Sequence, residues 1–287
     1  MPTLFLMLAT VFWGASSILI KLALQEVHPI VFVFFRFLVA TLCLLPALFF
    51  VRKRLSVQDL RRGVLLGILL GGIMVLQTMG LKTVAASVSA FLLGFSVIFV
   101  LAIRFVVQRQ LPGLRDMVTA LICLAGLGFV TQSHGLLPWD CSVSYTLVSA
   151  LCIALHTCTL SAYASSSNLW FLTWLQMATL SLLTALPVFT TGIALQLPTQ
   201  ATTWWSILFC AVFCSAGGFG IQAYAQQHLR AFKVSMILTL EPVFTTIFSW
   251  LLLGEVLQGS FYVGATMILG AIVLANWRLQ GLEEVAQ

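Results

Sequence analysis

The sequence predicts an all-α membrane protein: ten transmembrane helices forming two inverted five-helix repeats. Three observations carry that expectation. Of 287 residues, 61% are hydrophobic and 8% are charged, where a soluble domain has roughly a quarter charged; the mean hydropathy is +1.08. Apolar runs of about 18 residues or more, the length that crosses a bilayer, occur ten times and consume nearly the whole chain. Segments of the first half also return, in the same order, in the second.

The spans cover about residues 4–24, 30–51, 63–81, 84–107, 117–133, 143–164, 169–191, 203–225, 232–253 and 259–277. The first has no basic leader and is too long for a signal-peptide core, so it is expected to be retained as a helix. The second carries an internal charge, Arg36. The third holds Gly67 and Gly71 in a G-x-x-x-G spacing, which lets backbones approach closely in lipid. The fourth runs through Phe91, Phe95 and Ser96, and the sixth carries His156. The eighth crowds Gly217, Gly218 and Gly220 together; glycine weakens a helix, so this span is expected to bend or flex. The ninth contains Glu241 followed at once by Pro242. The connections between spans are too short for a soluble domain.

The net charge of +6 has a one-sided distribution. Arg52, Lys53, Arg54, Arg61, Arg62, Arg109, Arg115, Arg230, Lys233 and Arg278 all fall on one side, which the positive-inside rule makes cytoplasmic along with both termini. Lys21 and Lys82 stand at helix ends on the other side. The basic excess therefore reads as topology, not as a nucleic-acid or anion-binding patch. Seven cysteines, almost all within spans, imply no disulfide framework. Cys210 and Cys214 share a helix face without a second ligand pair, so no metal is expected. No nucleotide-binding loop is present, and no cofactor is implied.

The repeat is clearest where SVSAFLLGFSVIFVLAIRFVVQRQLPG lies over KVSMILTLEPVFTTIFSWLLLGEVLQG without a gap. That register pairs Ser96 with Pro242 and Phe95 with Glu241. ATLCLL and ATLSLL match in the same order. The chain divides into a first unit, 1–134, and a second, 135–287. Five spans per unit is an odd number, so the second must enter the membrane inverted. Inverted repeats place a substrate site near the midplane, between the halves.

Candidate site residues follow from polarity at depth. An ionised Glu241 near the bilayer centre costs about 3 kcal/mol or more, so it must face protein or water, be paired, or hold a proton. Pro242 cannot donate to the carbonyl four residues back and favours a kink. Arg36, about two turns inside the outer end, either meets a substrate carboxylate or an acid, or snorkels. Arg104 and Lys21 lie near helix ends and are expected to snorkel. Trp13 sets a large ring beside Gly14, with His156 at the matching region of the second half. Gln77 and Gln222 lie at mirrored depths and suit gates. Phe91, Phe95 and Ser96, with Tyr163, offer an aromatic wall. Each has a plainer alternative: interhelical hydrogen bonding for the polar residues and packing for the rings.

FWGASSILIKLAL, FFRFLVATLCLLP, and IQAYAQQHLR leading into LEPVFTTIFSWLLLGEVL resemble the drug/metabolite transporter superfamily, EamA-type family. SAFLLGFSVIFV is similar to that family's fourth-helix segment. The resemblance covers essentially the whole chain, with one departure: LLLGE ends the second half's segment, whereas the first half has VVQRQ. It implies two inverted five-helix halves in the inner bacterial membrane, exporting small metabolites, often amino acids or related solutes. The expected function is thus secondary transport of a small-molecule substrate by alternating access, with protons as a candidate coupling ion. An importer or exchanger of a nucleotide-like or cationic solute is the alternative, with an intramembrane lipid-modifying enzyme behind it. The lipid bilayer is the one macroscopic partner; nucleic acid is not expected, and oligomeric state is left open.

Overall fold

In hydrocarbon, backbone amides have no partners but one another, so a chain this apolar must satisfy them inside helices. The computed structural model describes residues 1–50, 56–84, 86–109, 112–131, 141–190, 197–253 and 259–276. Among these residues all regular structure is helical. Arg52, Lys53, Arg54, Glu255 and Arg278 lie outside the described residues.

The helices are α1 (Pro2–Ala23), α2 (Pro29–Leu44), which runs into a 3-10 turn (Leu45–Phe50), α3 (Val57–Leu81), α4 (Ala86–Gly94), α5 (Ser96–Gln108) and α6 (Leu114–Thr131). The second half holds α7 (Cys141–Tyr163), α8 (Leu169–Thr190), α9 (Ala201–Phe209), a π-helical segment (Cys210–Gly218), α10 (Phe219–Gln226), α11 (Ala231–Leu238), α12 (Glu241–Leu253) and α13 (Gly259–Asn276). Eight stretches among the described residues are long and apolar enough to cross a membrane, and Gly259–Leu274 is a shorter apolar run. The protein is therefore a multi-pass membrane protein.

Local chemistry sets the helix starts. Ser56 and Asp59 form a reciprocal capping box at α3, with Asp59 N–H donating to Ser56 Oγ at 3.1 Å and Ser56 N–H donating to Asp59 Oδ2 at 3.1 Å. Asn168 Oδ1 accepts from Phe171 N–H at α8. The carboxylate at the head of α9 comes from elsewhere in the chain: Glu26, in the α1–α2 connection, accepts from Thr199 N–H at 2.5 Å, Thr199 Oγ at 2.6 Å and Gln200 N–H at 3.1 Å.

α3 packs along α7 and α8, while α1 packs along the π segment with its flanking α9 and α10, and on α12. α2 crosses α8 and the π segment, α5 lies on α7, and α6 pairs with α13. Gly67 shows why the third span needs small residues: a Cβ there would stand 2.5 Å from Thr179 Cβ on α8. One core around Leu127, Val234 and Ile268 joins α6, α11 and α13. Another, around Phe37, Leu70 and Met177, joins α2, α3 and α8 beneath Trp13 of α1.

Candidate functional site

The ninth span explains why an acid and a proline stand side by side. α11 stops at Leu238, two residues turn, and α12 begins at Glu241. Thr239 N–H donates to Met236 O at 3.3 Å and Leu240 N–H to Ile237 O at 3.0 Å, tightening the end of α11 into 3-10 geometry. Pro242 thus occupies the first turn of a new helix, where a missing N–H costs nothing. Glu241 sits at its positive end, where a carboxylate is favoured. The fourth span breaks at the matching place, with α4 ending at Gly94 and α5 starting at Ser96.

A cavity of about 60 Å³ lies inside the bundle, room for a few waters. Trp13, Arg36, Gln77, His156, Gln222 and Glu241 all line it. They come from six different spans, brought together from as far apart as residue 13 and residue 241. Glu241 is half-buried because part of its surface opens to this hollow.

Arg36 is buried, and its Nε–H donates to Ser215 Oγ on the π segment at 2.8 Å. It does not snorkel. Arg36 and Glu241 face the same cavity without forming an ion pair with each other among the described residues.

The eighth span does depart from α geometry, but as a nine-residue π coil. π-helical turns within α-helices frequently occur at functional sites. Trp13 Nε1–H donates to the Cys214 carbonyl at 2.9 Å, and Cys214 Sγ–H donates to the Phe12 carbonyl at 3.3 Å. The indole lies against Gly218, where a Cβ would meet it at 3.0 Å, and its ring centre is 5.3 Å from that of Phe219. Gly14 allows the same closeness on the other face, since a Cβ there would stand 2.6 Å from Phe244 Cβ of α12.

His156 is buried, with Nε2 2.7 Å from Gln176 Oε1. Gln176 Nε2–H donates to Leu172 O, which fixes the amide so that its oxygen accepts from the imidazole. The histidine's partner is an amide rather than a carboxylate.

The other expected site residues stand elsewhere. Phe91 and Phe95 pack edge to face at 5.5 Å, and Ser96 is buried beside them at the α4–α5 break. There Leu93, not an aromatic ring, reaches the cavity. Tyr163 lies at the far end of α7 under the Arg62 guanidinium, 4.9 Å from its ring centre. Pro242 is buried beside Glu241 without lining the hollow. Ser215, Gln176, Thr157 and Phe219 were not anticipated as site residues. The first three are polar side chains in apolar helices, a signal the sequence did offer; Phe219 is one of 22 phenylalanines and gave none.

Residues 1–132 and 141–277 match the model of the EamA-like transporter family. Over 275 residues the chain is 27% identical to an "Uncharacterized transporter" of Archaeoglobus fulgidus, covering 96% of this chain and 85% of that one. It is 26% identical to the "Uncharacterized transporter YoaV" of Bacillus subtilis, over 90% and 91% of the two chains. It is 26% identical to the "Uncharacterized inner membrane transporter YhbE" of Escherichia coli, over 84% and 77%. A solved crystal structure at 13% identity superposes with a TM-score of 0.80 over 98% of both chains, which shows a shared fold. A helical membrane bundle closed around a cavity with opposite charges on its wall, matched by this family over both halves, has one assignment: the chain belongs to the EamA-like transporter family.

Proposed function

We propose that the protein is a secondary transporter of the inner membrane that exports a small polar metabolite, of amino-acid or related type, by alternating access. The observation that carries this reading is the cavity itself, where Arg36 and Glu241 face one hollow without pairing. A solute with an anionic and a cationic group would satisfy both charges. Glu241, neutral or ionised according to what faces it, is the proposed proton-coupling group.

The architecture we infer is ten crossings in two inverted halves, 1–134 and 135–287, with both termini cytoplasmic. Three findings support it. The same family model matches each half. The helix breaks at Gly94–Ser96 and Leu238–Glu241 overlap in the repeat register. The helix pairings also survive exchange of the halves: α3 on α7 corresponds to α1 on the π-containing span, α4 on α12 to α5 on α11, and α6–α13 to itself. Arg62 reaching Ser166 and Ser167 at 3.2 Å, and Arg115 reaching the Leu274 carbonyl at 2.5 Å, support a common cytoplasmic end.

The test is counterflow in proteoliposomes preloaded with unlabelled amino acids, measuring entry of each labelled amino acid and its chemical identity afterwards. Saturable exchange of an unaltered solute is expected, with a pH dependence that Glu241→Gln flattens. Unchanged transport and pH dependence in that variant would remove Glu241 from coupling. Chemical conversion of the solute would replace the transporter reading with an enzyme.

A further inference from the structure

A second and larger hollow, about 760 Å³, lies between the C-terminal ends of α5 and α7 and the α10–α11 connection. Its wall carries Arg104, His228 and Arg230, together with polar groups such as Gln226, Gln227 and Ser161, and no carboxylate lines it among the described residues. Charge bias across the membrane explains why arginines gather at this end. It does not explain why they face one hollow. Arg109 and Arg115 obey the same bias, yet neither is among the residues lining this hollow, and Arg115 is spent on the Leu274 carbonyl; Arg230 and His228, exposed like Arg109, do line it. Arg104 lies more than a turn inside α5, where a cation is costly unless it faces water or an opposite charge. It is half-buried in the wall of this hollow.

The hollow also adjoins the central cavity. Gln226 lines the larger space, and its Nε2–H donates to Thr157 O at 2.7 Å and Ser161 Oγ at 2.8 Å. Thr157 lines the smaller one. Gln226 Oε1 and Thr157 Oγ1 are buried without hydrogen-bond partners, so two polar atoms of this partition are left unsatisfied.

We propose that the larger hollow is an anion-collecting vestibule, drawing in and holding the carboxylate, phosphate or sulfonate group of a solute before it passes Gln226. This rests on the transporter reading and narrows its substrates to solutes bearing such a group. An anionic phospholipid headgroup carries the same chemistry and is the competing source.

Cys158 lines the vestibule as a native, half-buried reporter within electrostatic reach of Arg104. The unsubstituted protein in phosphatidylcholine nanodiscs is treated with methanethiosulfonates of similar size, one ending in a sulfonate and one in a trimethylammonium. Modification is followed by mass spectrometry of the Cys158 peptide. The same thiolate attacks both reagents, forming a mixed disulfide and displacing methanesulfinate, so the ratio of their rates, relative to a free thiol, isolates the local potential. Two guanidinium charges at such a range give a preference of about fivefold or more for the sulfonate, shrinking as salt is added. Inorganic pyrophosphate should slow both reactions, and Arg104→Gln with Arg230→Gln should bring the ratio close to that of the free thiol.

A ratio that favours the cation, ignores salt, or survives the double substitution overturns the proposal, as does a Cys158 inert to both reagents. Slowing caused by phosphatidylglycerol in the nanodiscs, with no effect of pyrophosphate, gives the site to lipid and overturns the solute assignment. Nothing here requires transport or a known orientation, so this test can fail while counterflow succeeds, and the reverse.

Discussion

Glu26 lies outside the membrane-spanning helices, in the α1–α2 connection, where the medium can titrate it. Hydrogen bonds from Thr199 and Thr203 hold it at about 2, well below the usual carboxylate range. A folded value below the unfolded one means its contribution is complete above about pH 4.5 and disappears as pH falls toward 2. Melting temperature should therefore drop over that interval. Glu26→Gln should melt earlier than the unsubstituted protein at neutral pH, with the two converging in acid; parallel curves would show that the carboxylate contributes nothing. At the cavity, Arg36→Gln should lower the initial rate of counterflow at least about tenfold, because a charge-assisted contact to an anionic group is the stronger kind. An unaffected rate would make Arg36 a purely architectural residue. The sequence marked both Arg36 and Glu241, since charge at depth is conspicuous. It could not show that Arg36 would be held by Ser215, 179 positions away, because that contact depends on which helices meet.

Among the elements, the breaks and the close approaches decide the outcome. Glu241 followed by Pro242 forecast an interruption of the ninth span, and α12 indeed begins there. Three glycines forecast an irregular eighth span, but not a π coil, since glycine content weakens a helix without selecting its pitch. The aromatic wall was misplaced in part for a geometric reason. The break at Gly94 resets the rotation of the chain, so Leu93 reaches the hollow while Phe91 and Phe95 pack on each other. Gly67→Leu should destabilise the protein by about 1–3 kcal/mol through the α3–α8 contact, read as a lowered melting temperature. Gly220→Ala, with nothing near its added methyl, should leave it unchanged or slightly raised. Gln226→Leu removes both bonds that tie α10 to α7. A cysteine placed at Thr157 should then react several-fold faster with a water-borne thiol reagent; an unchanged rate would show that Gln226 closes nothing.

For the whole molecule, hydrophobic run length made the helical bundle legible, because hydrocarbon permits few other structures. Orientation follows from the charge bias between the two ends of the bundle, and two placements measure it directly. A reporter fused after Gln287 should be active in the cytoplasm, and a cysteine at Thr83 should be labelled from the external side. Labelling at Thr83 only after the cells are opened would reverse the topology and, with it, the direction of export.

The indole of Trp13 has one more consequence. Wedged on Gly218 and tied to the Cys214 carbonyl, it pins the first helix to the wide coil like a key in a slot. Neither can twist or slide without carrying the other. In the alternating-access cycle proposed above, these two would swing as one lever, with its fulcrum where the backbone is already loosely wound.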